Sequence, residues 1–284
     1  MSTKHKYDFA VILRVTNANP NGDPLNGNRP RTNYENYGEI SDVCIKRKIR
    51  NRLMQMGESI LVQSLDNSVD EHQSIKSRID GSELKTDAKD FKQQACRQWY
   101  DVRAFGQIFP FKGKAKGEGV SIPVRGPVSI HTAFSLEPVS ITSTQITKST
   151  NLEDTKDGKR GSDTMGMKHR VDHGIYVFYG SINSQLASDE TGTGFSDADA
   201  EKLKEALRTL FENDASSARP EGSMEVLHLV WWKHNCPSGD ISSAKVHRSL
   251  AINESTGEIE SAPTLKFPLN EGNGELSPVI FPGF

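Results

Sequence analysis

The chain has few cysteines, no long apolar run and almost no net charge. Its three cysteines, Cys44, Cys96 and Cys236, are odd in number and widely spaced, which favours a reducing cytosol over a disulfide framework. No stretch approaches the roughly 18 apolar residues needed to span a bilayer. The polar start, residues 1–6, lacks the apolar core of a signal peptide. We therefore expect a cytoplasmic protein with no membrane partner.

The near-neutral total conceals a segregation of charge. Of the 284 residues, 37 are acidic and 35 are basic, which gives a formal net charge of −2. Residues 1–125 contain 21 basic and 15 acidic residues, a net charge of +6, whereas residues 126–284 contain 14 and 22, a net charge of −8. This asymmetry fits a polyanion site in the first part, head-to-tail contact between copies, or charge scattered over a solvated surface.

Periodic apolar patterns predict six core elements in the order strand, helix, strand, strand, helix, strand. This order is that of the α+β ferredoxin-like fold, which also underlies RNA-recognition domains. We expect one such domain over residues 1–284, with insertions at 58–125 and 141–172. The predicted elements occupy residues 7–15, 41–56, 128–134, 175–182, 196–213 and 226–232.

The helix predicted at 41–56 is strongly basic. Ser41 is a good N-cap, and Asp42 is the only acidic residue within the helix. Like charges four residues apart repel one another, so a polyanion along the helix would relieve the repulsion. The other interpretation is an ordinary solvated face. The basic residues are Lys46, Arg47, Lys48, Arg50 and Arg52.

A long turn-forming segment, residues 17–31, lies between the first strand and this helix. Loops of this length inside a compact domain are usually functional or disordered. Asparagine side chains and backbone N–H groups can bind phosphate or ribose, and Arg29 and Arg31 can neutralise the charge. A turn-rich surface connection is the alternative.

Six sequence segments occur in a fixed order along nearly the whole chain. They are Asn-Ala-Asn-Pro-Asn-Gly-Asp-Pro (17–24), Ser-Asp-Val-Cys-Ile-Lys-Arg-Lys-Ile-Arg (41–50), Asp-Val-Arg-Ala-Phe-Gly (101–106), Val-Arg-Gly-Pro-Val (124–128), His-Gly-Ile-Tyr (173–176) and Phe-Glu-Asn-Asp-Ala-Ser-Ser-Ala-Arg (211–219). Together they resemble the backbone subunit of CRISPR Cascade surveillance complexes, most closely the type I-C form.

The resemblance implies a non-enzymatic protein with an RNA-recognition-like palm, an inserted fingers region at 58–125 and a thumb hairpin at 141–172. Copies would polymerise head to tail along one CRISPR guide RNA. The thumb of one copy would displace a guide base held by its neighbour, and the remaining bases would pair with target DNA. The large subunit and the guide-processing subunit of Cascade are the other implied partners, and no cofactor or metal is implied.

The resemblance also implies roles for particular residues. Met165 and Met167 are candidates for the wedge that unstacks a base, with ordinary hairpin packing as the alternative. Lys112, Lys114 and Lys116 are candidate DNA contacts, with simple solubility as the alternative. The residues expected to bind RNA are Asn17, Asn19, Asn21, Arg29, Arg31, Ser41, Lys46, Arg47, Lys48, Arg50, Arg103 and Arg125.

Two further functions stay open from the sequence. Asp23 lies in the loop where RNA-cleaving type III relatives carry a catalytic Asp, so a target-RNA endoribonuclease is one alternative. A structural filament that forms without RNA is the other. Metal binding is weakly supported, because neither His169 with His173 nor His234 with Cys236 completes a set of four ligands.

Overall fold

The computed structural model of the chain describes most of its length. In this described part no helix is long and apolar enough to cross a bilayer. The described residues are 1–82, 84, 90–111, 120–147, 165–268 and 273–284.

The helices and strands follow one another in a strand-rich order. The helices are α1 Asp42–Gln55, α2 Ile75–Asp80, α3 Phe91–Gln98, α4 Tyr100–Phe105, α5 Ser184–Ala187, α6 Asp197–Arg208 and α7 Ser243–Arg248, with 3₁₀ turns at Pro24–Asn26 and Leu65–Asn67. The strands are β1 Tyr7–Ala18, β2 Gly22–Asp23, β3 Arg29–Pro30, β4 Tyr37–Ile40, β5 Gly106–Phe111, β6 Val120–Arg125, β7 Val128–Ile130, β8 Ala133–Pro138, β9 Ile141–Thr147, β10 Met165–Ile182, β11 Met224–Lys233, β12 Ala251–Ile252, β13 Ile259–Ser261, β14 Leu265–Pro268, β15 Asn273–Leu276 and β16 Pro278–Pro282.

A large antiparallel sheet forms the centre of the molecule. Its strands run in the order β16, β11, β1, β10, β8, β4, and both β7 and β9 also pair with β10. The predicted core strands are therefore neighbours, in the spatial order fourth, first, third, second. The strand predicted at 128–134 is divided between β7 and β8. The prediction of a mixed α and β protein is confirmed.

Strand β1 is buried on both faces, as its continuous apolar sequence predicts. Phe9, Val11 and Leu13 join the core cluster that includes the apolar stripes of α1 and α6. Ala10 and Ile12 face the opposite side, where α7 and the C-terminal strands cover the sheet. The sheet thus has the two long helices on one face and the C-terminal segments on the other.

Helix α1 has the predicted bounds because its ends carry clear signals. The Ser41 hydroxyl accepts a hydrogen bond from the Cys44 N–H at 3.3 Å. The helix ends before Gly57, whose φ of +86° is in the left-handed region that glycine favours. The N-cap prediction is confirmed, and the helix ends within one residue of the predicted end at 56.

Helix α6 begins as predicted but ends early. Ser196 and Asp199 form a reciprocal capping box at its start. The helix ends at Arg208 rather than near Asn213, and Asn213 itself has a left-handed φ of +52°. The five-residue excess in the prediction arose because Leu210 and Phe211 continue the apolar period into a turn.

The two predicted insertions contain their own elements, although their boundaries stay predictions. Between 58 and 125, α2 to α4 pack with the β5–β6 hairpin around a separate apolar cluster that includes Trp99. Between 141 and 172, β9 pairs with the first part of β10. Residues 112–119, which include Lys112, Lys114 and Lys116, lie outside the described residues, as do residues 148–164.

Candidate nucleic-acid interface

Lys48 of α1 points into the protein rather than towards solvent. Its side chain is 1% exposed, and its ammonium pairs with the Asp214 carboxylate. Asp214 also accepts a hydrogen bond from Arg219 Nε at 3.1 Å. Burial lowers the pKa of Lys48, although the Asp214 carboxylate opposes that shift. This burial disagrees with the prediction from the sequence that Lys48 contacts RNA directly.

Arg50 and Arg52 are also held by acidic residues from outside the helix. Arg50 Nε lies 2.9 Å from Asp101 Oδ2, and this carboxylate is 1% exposed. Arg52 pairs with the Glu212 carboxylate. Asp42 is the only acidic residue within the helix, as the sequence shows, but the fold brings further acids to the helix from distant segments.

Arg103 is similarly engaged inside the protein. Its Nη2 lies 2.8 Å from Asp199 Oδ1 and 3.5 Å from Glu58 Oε2. Its guanidinium lies over the Tyr100 ring, 4.7 Å from the ring centroid. Arg103 joins α4 to the start of α6, which gives it a structural role, and the RNA contact that the resemblance implies stays a prediction.

The remaining cations of the predicted site have weaker partners or none. Lys46 Nζ lies 2.9 Å from Asp42 Oδ2, one helical turn away, and is partly exposed. Arg47 forms no hydrogen bond or ion pair with any residue that the structure describes. The same holds for Arg125, an exposed residue at the end of β6. Arg47 and Arg125 are therefore available to a phosphate.

The asparagines of the 17–31 loop fold it onto the start of α1. Asn19 is 3% exposed, and its Nδ2 donates to the Asn28 carbonyl at 2.7 Å. Asn21 Oδ1 accepts hydrogen bonds from both the N–H and the hydroxyl of Ser41, at 2.9 and 3.0 Å. These contacts give Asn19, Asn21 and Ser41 positioning roles. Asn17 is exposed with φ +53°, a conformation that asparagine tolerates well.

The two arginines of the loop have neutral or acidic partners. Arg29 Nη1 donates to the Ser143 hydroxyl of β9 at 2.8 Å, which ties the loop to the β9–β10 ladder. Arg31 Nη2 lies 3.4 Å from Asp23 Oδ1. The same Asp23 oxygen caps the following 3₁₀ turn by accepting from the Leu25 N–H at 3.2 Å. The Asp23 carboxylate thus has a structural role, and the described residues contain no cluster that could hold a metal ion beside it.

A basic cavity of about 420 Å³ lies at the base of the β9–β10 ladder. Lys168 has no ion pair with any described residue, and Arg170 Nε lies 3.4 Å from Asp172 Oδ1. Both project from one face of β10 because they are two residues apart, whereas Met165 and Met167 are exposed on the other face. The cavity is lined by Asn17, Thr144, Ile146, Lys168, Arg170 and Pro220.

Sequence reasoning missed Lys168 and Arg170, although a signal was present. The alternation of Met165, Met167 and His169 with Lys168 and Arg170 is the period of two that a strand shows. Asn17 lines the cavity, and four residues later Asn21 holds Ser41 at the start of α1. The loop therefore connects the basic cavity to the basic helix.

A family model described as CRISPR-associated protein Cas7 matches residues 5–267. The chain belongs to the Cas7 family. A curated relative from Haloferax volcanii, "CRISPR-associated protein Cas7", is 27% identical over 244 residues, which cover 81% of this chain and 71% of the relative. A chain of the solved "CRISPR RNA-guided surveillance complex, pre-nicking" has 16% identity and a TM-score of 0.47, with 80% of this chain and 75% of that chain covered. A chain of another "CRISPR RNA-guided surveillance complex" has 15% identity and a TM-score of 0.47, with 89% and 77% covered.

We call the basic helix, the 17–31 loop and the basic cavity together the basic surface. The Cas7 match covers all three, so this surface belongs to the part of the chain that the family shares. Its cations divide into two groups that are named here by their environment. The inner cations, held by acidic side chains inside the protein, are Lys48, Arg50, Arg52 and Arg103. The outer cations, at least partly exposed, are Lys46, Arg47, Arg125, Lys168 and Arg170.

Proposed function

We propose that this Cas7-family protein binds the backbone of a CRISPR guide RNA and polymerises along it in a type I-C Cascade surveillance complex. The observation that carries the proposal is the presence, in a chain of this family, of Arg47, Arg125 and Lys168, which are at least partly exposed and form no ion pair with any described residue. A guide must be held whatever its spacer sequence, so phosphate and ribose are the groups to recognise. Cations and backbone amides suffice for this task, and no catalytic group is required.

The order of the core strands supports an RNA-recognition-like palm. The spatial order fourth, first, third, second, with both long helices on one face, is that of a ferredoxin-like βαββαβ unit. In this proposal residues 58–125 are the fingers and residues 141–172 are the thumb. The exposed Met165 and Met167 near the far end of β10 support an apolar wedge that displaces one guide base and leaves the others for target DNA.

The segregation of charge has a partly internal explanation. Among the described residues, four ion pairs join a cation of the basic first part to a carboxylate of the acidic second part: Arg14–Glu225, Lys48–Asp214, Arg52–Glu212 and Arg103–Asp199. Only the charge left over after such pairing is available to other molecules. We propose that this remainder contributes to head-to-tail contact between copies and to contacts with the large and guide-processing subunits.

A charge-reversal experiment tests the RNA-binding surface. The variant R47E/R125E/K168E is co-expressed with its guide RNA and compared with the matched variant K245E/R248E/K266E, whose cations lie in the C-terminal segment across the sheet. We expect the first variant to lose the discrete RNA band and the high ratio of absorbance at 260 to 280 nm, and the second to keep both. Unchanged RNA in a folded R47E/R125E/K168E variant would contradict the proposal.

Two treatments separate this function from the alternatives. RNase digestion during assembly should prevent the oligomer from forming, whereas an RNA-independent filament would still form. Labelled complementary RNA incubated with the complex and Mg²⁺ should stay intact in the wild type. Regularly spaced cuts that disappear in D23A would instead establish an endoribonuclease.

A further inference from the structure

The outer part of the β9–β10 ladder leaves the central sheet as a two-stranded ribbon. Residues 142–147 pair with residues 165–170, and neither segment pairs with another strand in the part of the chain that the structure describes. No side chain of this ribbon is buried. Core packing therefore does not fix the direction in which the ribbon projects. A two-stranded ribbon without further support is only marginally stable in water.

A single side-chain hydrogen bond joins the ribbon to the rest of the described protein. Arg29 Nη1, from the 17–31 loop, donates to the Ser143 hydroxyl of β9 at 2.8 Å. The other side-chain hydrogen bonds that the described ribbon residues form all stay within β9 and β10. The lateral attachment of the ribbon therefore depends on Arg29.

Ser143 extends this attachment to the second strand of the ribbon. His169 lies directly opposite Ser143 on β10, and its Nδ1 is 2.8 Å from the Ser143 hydroxyl oxygen. Because the Arg29 N–H donates to that oxygen, the hydroxyl hydrogen is left to donate to Nδ1 of neutral His169. One guanidinium thus holds both strands. The attachment lies on the same face of β10 as Met165 and Met167, since these residues and His169 are two apart.

The loop that carries Arg29 is itself fixed to the start of α1. Pro30 is buried, and a proline favours extended backbone at the residue before it, which is Arg29. The Arg31 N–H donates to the Asn21 carbonyl at 3.0 Å. The Asn21 side chain in turn accepts from the N–H and the hydroxyl of Ser41, the N-cap of α1. A continuous series of contacts therefore connects the basic helix to the ribbon.

We propose that Arg29 and Ser143 are positioning residues that fix the direction of the ribbon relative to α1. The inference rests on the proposed assembly along guide RNA, in which the ribbon of each copy meets RNA held by its neighbour. A ribbon with a fixed direction reaches the same place on every neighbour, so the copies follow one another at equal spacing. Arg29 acts in this way through Ser143, a role other than the phosphate contact that the sequence predicts.

Distances between two spin labels test the direction of the ribbon without RNA. The labels are attached at T147C on the ribbon and K245C on α7, both exposed positions, in the full-length protein with its native cysteines replaced by alanine. We expect a narrow distribution of distances in this parent protein. S143A should broaden the distribution, because the ribbon loses its attachment.

Two variants control this measurement. S143T keeps the hydroxyl and has a side chain favoured in strands, so it should restore the narrow distribution. S129A removes a serine of β7 that lies 2.9 Å from the hydroxyl of Ser181, at the other end of β10, and should change nothing. A distribution in S143A as narrow as in the parent protein would overturn the proposal.

Assembly on RNA separates positioning from direct contact. S143A should bind a short RNA that accommodates one copy as tightly as the wild type. On a guide-length RNA, each added copy should bind about fivefold more weakly, the size expected for one lost hydrogen bond. R29Q should reproduce this defect, and it should leave the salt dependence of binding to the short RNA unchanged.

The opposite pattern would establish that Arg29 contacts phosphate directly. R29Q would then reduce the slope of log affinity against log salt concentration by about 0.7, and S143A would assemble as the wild type does. That pattern would overturn the positioning role while the proposed function stands. A wild-type protein that binds no RNA would contradict the proposed function instead, and the spin-label distances would still decide whether Ser143 fixes the ribbon.

Discussion

The inner and outer cations of α1 come from the same five-residue basic set but face different surroundings. Lys48 and Arg52 lie one turn apart and meet the acidic side chains of residues 212–214, which follow α6. Arg47 lies on another side of the helix and forms no ion pair with a described residue, although its charge helps to lower the pKa of Asp66. A count of basic residues therefore overstates the charge available to RNA, and the fold decides which cations remain free.

The largest effect should come from truncation of an inner cation. K48A leaves the Asp214 carboxylate with Arg219 as its remaining partner and opens a space beside it, so we expect a loss of about 3 kcal/mol in the free energy of unfolding. R47A, by contrast, should change it by no more than about 0.5 kcal/mol. Urea unfolding followed by circular dichroism measures both.

The double variant K48M/D214N is the control for this comparison. It removes both charges while it keeps similar side-chain volumes, so it should recover most of the stability that K48A loses. If K48A and R47A are equally stable, the distinction between inner and outer cations fails.

The next effect concerns RNA affinity and its dependence on salt. A cation that contacts one phosphate of a single strand contributes about 0.7 to the slope of log affinity against log salt concentration. R47A and R125A should each reduce that slope by about this amount and weaken binding severalfold. K48M should leave the slope unchanged, because Lys48 is buried. Filter binding to a guide-length RNA at several salt concentrations distinguishes these outcomes, and a reduced slope in K48M would contradict the assignment.

The local parts of this structure could be predicted from the sequence, and the long-range parts could not. Ser41 and Gly57 define α1 because capping is a property of neighbouring residues. The partners of the inner cations are distant in the chain: Asp101 is 51 residues from Arg50, and Asp214 is 166 residues from Lys48. No local pattern indicates such pairs, so the sequence alone assigned Lys48 and Arg50 to the RNA-binding surface.

Other predictions for the site differ from the structure for local reasons. The asparagines of the 17–31 loop suggested ligand contacts, but Asn19 and Asn21 use their amides to fold the loop. Asparagine serves both purposes equally well, so its presence does not separate them. Lys168 and Arg170 alternate with Met165 and Met167 along β10, so the sequence does carry a signal for a basic strand face.

Lys46 is intermediate between the two groups, and its variant should have a small effect on stability. Its ion pair with Asp42 spans one turn of an exposed helix surface, so K46A should cost about 0.3–0.5 kcal/mol in the free energy of unfolding. The loss should disappear in 1 M salt, because screening removes surface ion pairs. A salt-insensitive loss would place Lys46 with the inner cations.

The last effect, on stability in acid, tests the contrast outside α1, where Arg78 of α2 behaves as an inner cation. Arg78 is 7% exposed, and its Nε and Nη2 lie 2.6 and 2.8 Å from the two oxygens of Asp70. These hydrogen bonds lower the pKa of Asp70 to about 2, below the value of about 3.9 for an unfolded chain. The pair therefore stabilises the fold above pH 4, and its contribution is lost as the pH falls towards 2.

D70N removes that titration, so the stability of the variant should vary less than that of the wild type between pH 4 and pH 2. The difference should be modest, because the Asp70 side chain is 29% exposed and solvent screens the pair. Urea midpoints at several acid pH values, with E71Q as the matched control from the same exposed segment, measure it. Identical acid profiles for the wild type and D70N would show that the Arg78–Asp70 pair does not stabilise the fold, although Arg78 is buried.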